Sequence, residues 1–265
     1  MLINIVGTSK VSLVLSKILV EKGFKMGYVV SRSRQRATAF VRKLSQGIPI
    51  TYDEDFLLKD IVFISVPDGV IDLVYSNIKT RLSDDVNIYH FSGFLTSYIF
   101  EDADRFGWGR GSIHPNLSFA DEKIALKSIH RCCFGIEGNE KGLSLARNIV
   151  QQISNCWIEI PVQAKMAYHL AAVLASNFSV GLAYLAQRLY DLYGLDGFEK
   201  IIPTLMLNTS RNVSKLGVKD SLTGPVARGD WVVVEKEQEL FEKCFAKYKD
   251  LYANMVRVLK EIKGR

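Results

Sequence analysis

Short, continuously apolar runs alternate with amphipathic stretches over the first 160 residues. The runs at 2–6, 26–30, 61–66, 86–91, 111–113, 132–136 and 157–160 predict strands. Between them, residues 11–22 set Val11, Leu15, Ile18 and Leu19 at helical spacing, and 34–44 and 142–154 follow the same period. Strand–helix alternation with strands apolar on both faces predicts a mainly parallel, doubly wound α/β sheet. After Pro161 the strand signal ends. One long helix is predicted over 163–193, stopping at Gly194, a residue suited to a helix C-terminus. A second covers 197–215 with Pro203 near its first turns, a loop spans 221–230, and a final helix or helix pair covers 232–263. The fold class is thus α/β followed by an all-α region, with domains at 1–160 and 161–265.

Composition changes this picture little. The chain is 48% hydrophobic and 23% charged, as globular proteins are, and its net charge of +6 suits an anionic small molecule. No dense basic run broken by aromatics points to nucleic acid. Cys132, Cys133, Cys156 and Cys244 form no CxxC pair, so reduced thiols in a cytoplasmic protein are expected and no metal site is read. The first residues lack the basic region and cleavage site of a signal peptide. Residues 166–187 hold no Asp, Glu, Lys or Arg and are long enough to span a bilayer. They include His169, Ser176, Asn177, Ser179 and Gln187, and no second span accompanies them. A buried helix of a helical domain or subunit interface is expected, not a membrane segment.

The first strand ends in Gly7-Thr8-Ser9-Lys10-Val11-Ser12, where the dinucleotide fingerprint has Gly-x-Gly-x-x-Gly or Ala. Gly7 keeps the tight turn, while Ser9 and Ser12 replace the other two glycines; Ser9 adds a Cβ where phosphates would approach, and a hydroxyl that can donate to one. The second strand runs into Ser31-Arg32-Ser33-Arg34-Gln35-Arg36, where an acidic residue would hold the ribose of NAD. Arginine there suits a 2′-phosphate and hence NADP, with Ser31, Arg32, Ser33 and Arg36 as its candidate holders. Strands ending at Val66-Pro67-Asp68 and Phe91-Ser92-Gly93 would line the same edge of the sheet. Gly7, Thr8, Ser9, Ser31, Arg32, Ser33, Val66, Pro67, Asp68, Ser92 and Gly93 are therefore the candidate cofactor residues.

These segments, together with Ser112-Ile113-His114-Pro115-Asn116-Leu117-Ser118-Phe119, Tyr168-His169-Leu170-Ala171-Ala172-Val173-Leu174-Ala175-Ser176-Asn177-Phe178 and Leu222-Thr223-Gly224-Pro225-Val226-Ala227-Arg228-Gly229-Asp230, carry a resemblance. The chain resembles a family of Rossmann-like oxidoreductases with a helical C-terminal domain of unknown function. That family is similar to ketopantoate reductase, pyrroline-5-carboxylate reductase and the 6-phosphogluconate dehydrogenase group. The resemblance covers essentially the whole chain, the glycine loop being its main departure. It implies an NADP-type cofactor, a homodimer through the helical domains and a substrate cleft between domains. In the reductases it resembles, a helical-domain Lys and Asn bind substrate and assist proton transfer; Lys165 matches the lysine, and His169 falls where ketopantoate reductase would have its asparagine.

Lys165 and His169 are spaced i, i+4 and Asn177 follows eight residues beyond His169, so one helix would carry all three near one stripe. Hydride transfer to a C=O or C=N carbon needs a donor to the developing alkoxide or amine, and Lys165 or His169 can supply it. His114 is a third candidate, for substrate binding or acid catalysis. His90 reads as structural and His130 as solvated. Thr223 and Arg228 suit an anionic substrate group such as a carboxylate, with Asp230 capping the last helix. The expected function is an NADP-dependent oxidoreductase of a small, carboxylate-bearing oxo or imino compound. The alternative is a non-catalytic nucleotide-binding or sensor protein whose altered glycine loop no longer supports turnover.

Overall fold

The computed structural model describes residues 1–264 and divides into two compact units, Met1–Ser176 and Asn177–Arg265. The first unit is built on eight strands: β1 (Leu2–Val6), β2 (Lys25–Val30), β3 (Ile48–Ile50), β4 (Leu58–Ile64), β5 (Leu82–His90), β6 (Gly109–Pro115), β7 (Cys133–Gly138) and β8 (Cys156–Glu159). They lie in the order β3-β2-β1-β4-β5-β6-β7-β8, and every pair is parallel except β6–β7. The connecting helices are α1 (Lys10–Glu21), α2 (Arg34–Leu44), α3 (Ile71–Ile78), α4 (Glu122–Ser128) and α5 (Glu140–Gln151), and α6 (Lys165–Ala175) ends the unit. Successive residues of a strand feed opposite faces: in β4, Ile61 and Phe63 join Ile5, Leu15 and Phe134, whereas Val62 and Ile64 join Ile71, Tyr75 and Ile88. Both faces are therefore covered, as the uninterrupted apolar strands predict. Each such side chain removed from water contributes about 1.5–3 kcal/mol.

Strand order reverses between β1 and β4. Open α/β sheets leave a crevice beyond the carboxyl ends of the strands at such a point. Gly7, after β1, and Ser65, after β4, stand at its mouth, linked by the Ser65 N–H donating to the Val6 carbonyl at 2.8 Å.

One polar residue lies in the centre of the sheet. Asn4 of β1 is 2% exposed. β2 carries an extra residue opposite it, since Ile3 pairs with Met26 but Ile5 with Val29. Asn4 Oδ1 accepts the Tyr28 N–H at 2.9 Å, and Nδ2 donates to the Lys59 and Ile61 carbonyls of the β4 side at 2.7 and 3.2 Å. The side chain thus completes hydrogen bonds that the irregular ladder leaves unmade. Gly27 makes room for it, since a Cβ there would collide with Asn4 Oδ1.

Three features differ from expectation. β3 contains Pro49, which hid it in the sequence; as an edge strand bonded only to β2 it tolerates the missing donor. The helix expected over 163–193 is two helices, α6 and α7 (Asn177–Tyr193), interrupted at Ser176 with φ −110° and ψ −70°. The stretch Val162–Tyr193 is long and apolar enough to cross a membrane. Within the single chain it is not buried: Met166, Leu170, Leu174, Phe178 and Val180 are exposed, and Lys165 is its buried side chain, which leaves a subunit interface as the expected place for this stretch. Finally, the expectation of reduced thiols is corrected at one pair. Cys133 and Cys156 are register partners on β7 and β8, with Cα atoms 4.5 Å apart, and form a disulfide. Cys132 and Cys244 are free.

The second unit comprises α7, α8 (Phe198–Ser221, interrupted at Gly217), α9 (Pro225–Arg228), α10 (Trp231–Cys244) and α11 (Asp250–Lys263). α7 ends at Gly194 with φ +61°, the glycine terminator that the sequence predicts. Among the described residues its buried apolar side chains are Val226, Val234 and Phe245. Phe241 stacks with Phe245 and Tyr252, joining α10 to α11.

Candidate active site

The loop after β1 holds its shape without its second and third glycines. Gly7 has φ +96°, and a Cβ there would run into the Ser65 carbonyl and the Val66 side chain, so this glycine is required. Ser9 is the N-cap of α1: its Oγ accepts the Ser12 N–H at 3.2 Å and bonds the Ser65 hydroxyl at 2.5 Å. Ser12 is fully buried, and its hydroxyl donates to the Ser9 carbonyl at 3.1 Å. The two serines therefore replace glycine flexibility with a hydroxyl network. One first-turn N–H of α1, that of Ser12, is satisfied by it. Thr8, between Gly7 and Ser9, is half-buried.

After β2, Ser31 is buried, its Oγ accepting the Ser33 N–H at 3.3 Å, and Ser33 caps α2 through the Arg36 N–H. Arg32 and Arg36 are exposed, whereas Arg34 is engaged by Glu54 and the Pro49 carbonyl. Of the three arginines, Arg34 thus serves the β3 edge. Arg32 faces Tyr52, whose hydroxyl burial pushes upward and the arginine charge pulls down.

The loops after β4 and β5 are tied together. Ser92 donates to Asp68 Oδ2 at 2.6 Å, and its Oγ accepts the Phe94 and Leu95 N–H groups. His90, fully buried, accepts the Ser92 N–H on Nδ1 at 3.2 Å and lies 3.3 Å from the Thr96 carbonyl through Nε2. This fixes the Nε2–H tautomer, and burial, then Lys165, lowers its pKa to about 3. His90 is structural, as its place in a strand predicts. Pro67 and Val66 lead into Asp68, which is exposed.

Lys165, the first residue of α6, is 1% exposed. Its Nζ donates to Ser112 Oγ of β6 and stands 3.9 Å from Glu137 Oε2 of β7. Burial lowers its pKa to about 8, against the opposing pull of Glu137 and Asp68. A buried lysine whose pKa is brought down towards neutrality, yet which still carries its proton there, is suited to proton transfer.

One turn on, Tyr168 and His169 meet the end of β6. His114 Nδ1 lies 2.8 Å from Tyr168 Oη, and Asn116 Nδ2 donates to the same oxygen at 2.5 Å. Burial, followed by Lys165 and His169, lowers the His114 pKa to about 4, so this imidazole is neutral near pH 7. His169 Nδ1 is buried without a hydrogen-bond partner. A Cβ on Gly93 would sit 2.6 Å from that nitrogen and 2.8 Å from His114 Nε2. Gly93, His114, His169 and Lys165 therefore converge at the carboxyl ends of β5 and β6, with one buried nitrogen that nothing among the described residues satisfies.

The remaining candidates belong to the second unit. Asn177 follows the interruption at Ser176, so it does not share one helical stripe with Lys165 and His169; it is exposed and begins the second unit. Arg228 of α9 donates to Asp230 at 2.9 Å, its side chain exposed. Asp230 holds the N-cap position of α10 but spends its carboxylate on Arg228 rather than on a cap bond. Thr223 precedes α9 in an extended loop. Sequence reasoning missed roles for Ser112, Glu137, Tyr168 and Asn116. A trace of one was present: Glu137 is the lone charge in the apolar run 132–138. Among the described residues no cluster of His, Cys, Asp and Glu could hold a metal ion.

A sheet of this order with helices on both faces, followed by an all-helical region, defines the class of Rossmann-type oxidoreductase folds. The structure of TM1727 from Thermotoga maritima is 42% identical to this chain, with 98% of this chain and 97% of that one covered and a TM-score of 0.80. The chain belongs to the family of TM1727. Residues 132–258 match a family model described as a domain of unknown function, DUF2520. BF3122 from Bacteroides fragilis, a proposed NADP oxidoreductase, is 22% identical over 98% of both chains, with a TM-score of 0.79. A pyrroline-5-carboxylate reductase from Coxiella burnetii is 17% identical over 97% of both, with a TM-score of 0.57. At such identities these two establish a shared fold and nothing finer. No curated protein matches the sequence.

Proposed function

We propose that the protein is an NADP-dependent oxidoreductase acting on a small, carboxylate-bearing oxo or imino compound. The observation that carries this reading is Lys165: a lysine buried at the carboxyl edge of the sheet, bonded to Ser112 and shifted to about 8. Oxidoreductase structures on the same fold, including BF3122 and the Coxiella reductase, support it.

The residues around the crevice fit a dinucleotide. Gly7, with φ +96°, turns the chain tightly into the N-terminus of a twelve-residue helix, which favours anions. Thr8 and Ser9 would hold the pyrophosphate there; Ser31, Arg32 and Ser33 would hold a 2′-phosphate, and Val66, Pro67, Asp68, Ser92 and Gly93 would border the nicotinamide end. When bound, the nicotinamide supplies or takes up a hydride. The chain's own residues do the rest. Lys165 Nζ gives a proton to the substrate oxygen or nitrogen, with Ser112 fixing its direction. His114 and His169 hold the substrate beside Gly93, the unpartnered His169 nitrogen gaining its bond from it. Asn177, Thr223 and Arg228 remain the second unit's candidates for the substrate, Arg228 for its carboxylate.

In this reading residues 1–160 serve the dinucleotide and 161–265 the substrate and a second copy of the chain. The apolar side chains exposed along Val162–Tyr193 support a homodimer, since water would otherwise meet them. The bonds from Lys165 and Tyr168 to β6 residues speak against a membrane span, because they tie the start of this stretch to the sheet. Sedimentation should give twice the chain mass. A reductase of this kind works where the cell keeps its reduced dinucleotide, in the cytoplasm.

Calorimetric titration with NADP⁺, NADPH, NAD⁺ and NADH tests the reading. Micromolar NADP(H) binding that Arg32→Ala weakens supports it and opens a screen of oxo and imino acids for NADPH oxidation. No dinucleotide binding sinks it. A sensor protein is the second reading, favoured by the hydroxyl network that satisfies the Ser12 N–H. Tight binding without turnover on any oxo or imino acid would select it.

A further inference from the structure

β6 and β7 are the antiparallel pair, and this places Ser112 directly across from Glu137. Glu137 is 2% exposed, and a carboxyl group so buried is penalised unless its oxygens are bonded. Three bonds hold it. Oε2 accepts the Ser97 N–H at 2.8 Å and the Ser112 hydroxyl at 3.5 Å, and Oε1 accepts the Ser97 hydroxyl at 2.6 Å. Ser97 is itself fixed by Arg110, whose guanidinium donates to its Oγ at 2.6 Å, is clamped on Asp104 and stacks on Tyr98. The carboxylate therefore cannot swing away. Lys165 Nζ at 3.9 Å is the cation it faces, and Ser112 Oγ accepts from that ammonium while donating to Glu137. Lysine, serine and glutamate thus form one directed chain inside the protein.

We propose that Glu137 is a positioning residue for Lys165: through Ser112 it aims the ammonium at the carboxyl edge of β6 and keeps the buried lysine protonated at neutral pH. The inference rests on Lys165 being the proton donor, but on no particular dinucleotide or substrate. The charged groups that face Lys165 are few. Glu137 on β7 and Asp68 after β4 favour its charged form. His90 on β5 and His114 on β6 also face it, and both are held neutral near pH 7, at about 3 and about 4. Asp68 is exposed and bonded to Ser92, so Glu137 is the anion that burial leaves unscreened.

Lysine labelled with ¹³C at Cε, assigned with Lys165→Met, reports the midpoint of Lys165 directly by NMR. In the native protein the midpoint should lie near 8. In Glu137→Gln it should fall by about one pH unit or more, as loss of an opposite charge at this range implies. Glu137→Asp should recover most of that shift. An unchanged midpoint in Glu137→Gln overturns the proposal and leaves Glu137 a structural residue. A second measurement needs no Glu137 variant to fold: in the native protein the Glu137 ¹³Cδ resonance should inflect at the Lys165 midpoint and lose that inflection in Lys165→Met. Absence of the inflection also overturns it. Failure of dinucleotide binding would leave these titrations intact, so the two readings fail separately.

Discussion

Tyr168 Oη lies 2.8 Å from His114 Nδ1 and receives the Asn116 amide at 2.5 Å. The orientation of that amide is fixed, because Nδ2 also donates to the Cys133 carbonyl at 3.0 Å. Asn116 Nδ2, Tyr168 Oη and His114 Nδ1 are all bonded when the tyrosine proton goes to Nδ1, which leaves the histidine proton on Nε2, beside Gly93. Tyr168→Phe removes that constraint. The ¹⁵N shifts of His114 should change from one tautomer to a mixture, and stability should fall by about 1 kcal/mol, as for a lost hydrogen bond. A single unchanged tautomer in the variant would show that something other than Tyr168 selects it.

Stability should depend on pH at both ends. His90 has a folded-state pKa of about 3 against 6.5 for the free side chain, so below pH 6.5 the unfolded chain binds a proton that the native state refuses. Stability is then lost as pH falls from 6.5 towards 3, at about 1.4 kcal/mol per unit from this residue. Lys165 acts at the other end: its pKa falls from 10.5 to about 8, so the native state gives up its proton first. Stability should rise between pH 8 and 10.5. Denaturant melts across both windows check the signs. Lys165→Met should flatten the alkaline rise and leave most of the acid loss, whose first cause is burial, in place.

Ser9→Gly restores the second glycine of the fingerprint but removes the cap of α1 and the bond to Ser65. The capping change costs a few tenths of a kcal/mol and the lost hydroxyl bond about 1 kcal/mol, so the melting temperature should drop. The freed Ser12 N–H should meanwhile strengthen dinucleotide binding. Calorimetry on the same sample separates the effects. A drop in both stability and affinity would mean that the Ser9 hydroxyl itself contacts the ligand.

The Cys133–Cys156 bond closes a segment of 23 residues containing α5. Chain-entropy arguments give about 3 kcal/mol for a loop of this size. Reduction, or Cys156→Ser, should lower the unfolding midpoint in urea by a corresponding amount. Because Asn116 donates to the Cys133 carbonyl, the Tyr168 and His114 resonances should shift as well. Cys132, whose thiol burial pushes up to about 12, should stay unreactive to alkylating agents in the folded protein.

Much of this architecture is legible in the residues alone, because buried parallel strands announce themselves as unbroken apolar runs. Leu2–Val6 and Arg34–Leu44 occupy the positions their patterns predict. β3 is hidden by its three-residue length and Pro49. The interruption at Ser176 has no glycine or proline to mark it, so α6 and α7 read as one helix. Lys165 is visible as a charge opening an apolar helix. Its partners are not, because Ser112 and Glu137 meet through the antiparallel register of β6 and β7, and Cys133 meets Cys156 through the parallel register of β7 and β8. Alignment between strands far apart in sequence is what a linear pattern does not encode.

Asn4 has a consequence for how the chain finds its fold. β1 must choose its alignment with two parallel strands, and its flanking residues, Ile3, Ile5 and Val6, are alike enough that a slipped arrangement would bury similar apolar surface. The amide is not so forgiving. In any slipped alignment its three hydrogen bonds would be broken inside the sheet, at a cost of a few kcal/mol. Asn4 therefore acts less as glue for the correct sheet than as a proofreading element: it makes near-miss pairings of β1 unstable, and so narrows the set of traps through which this slow, long-range topology has to fold.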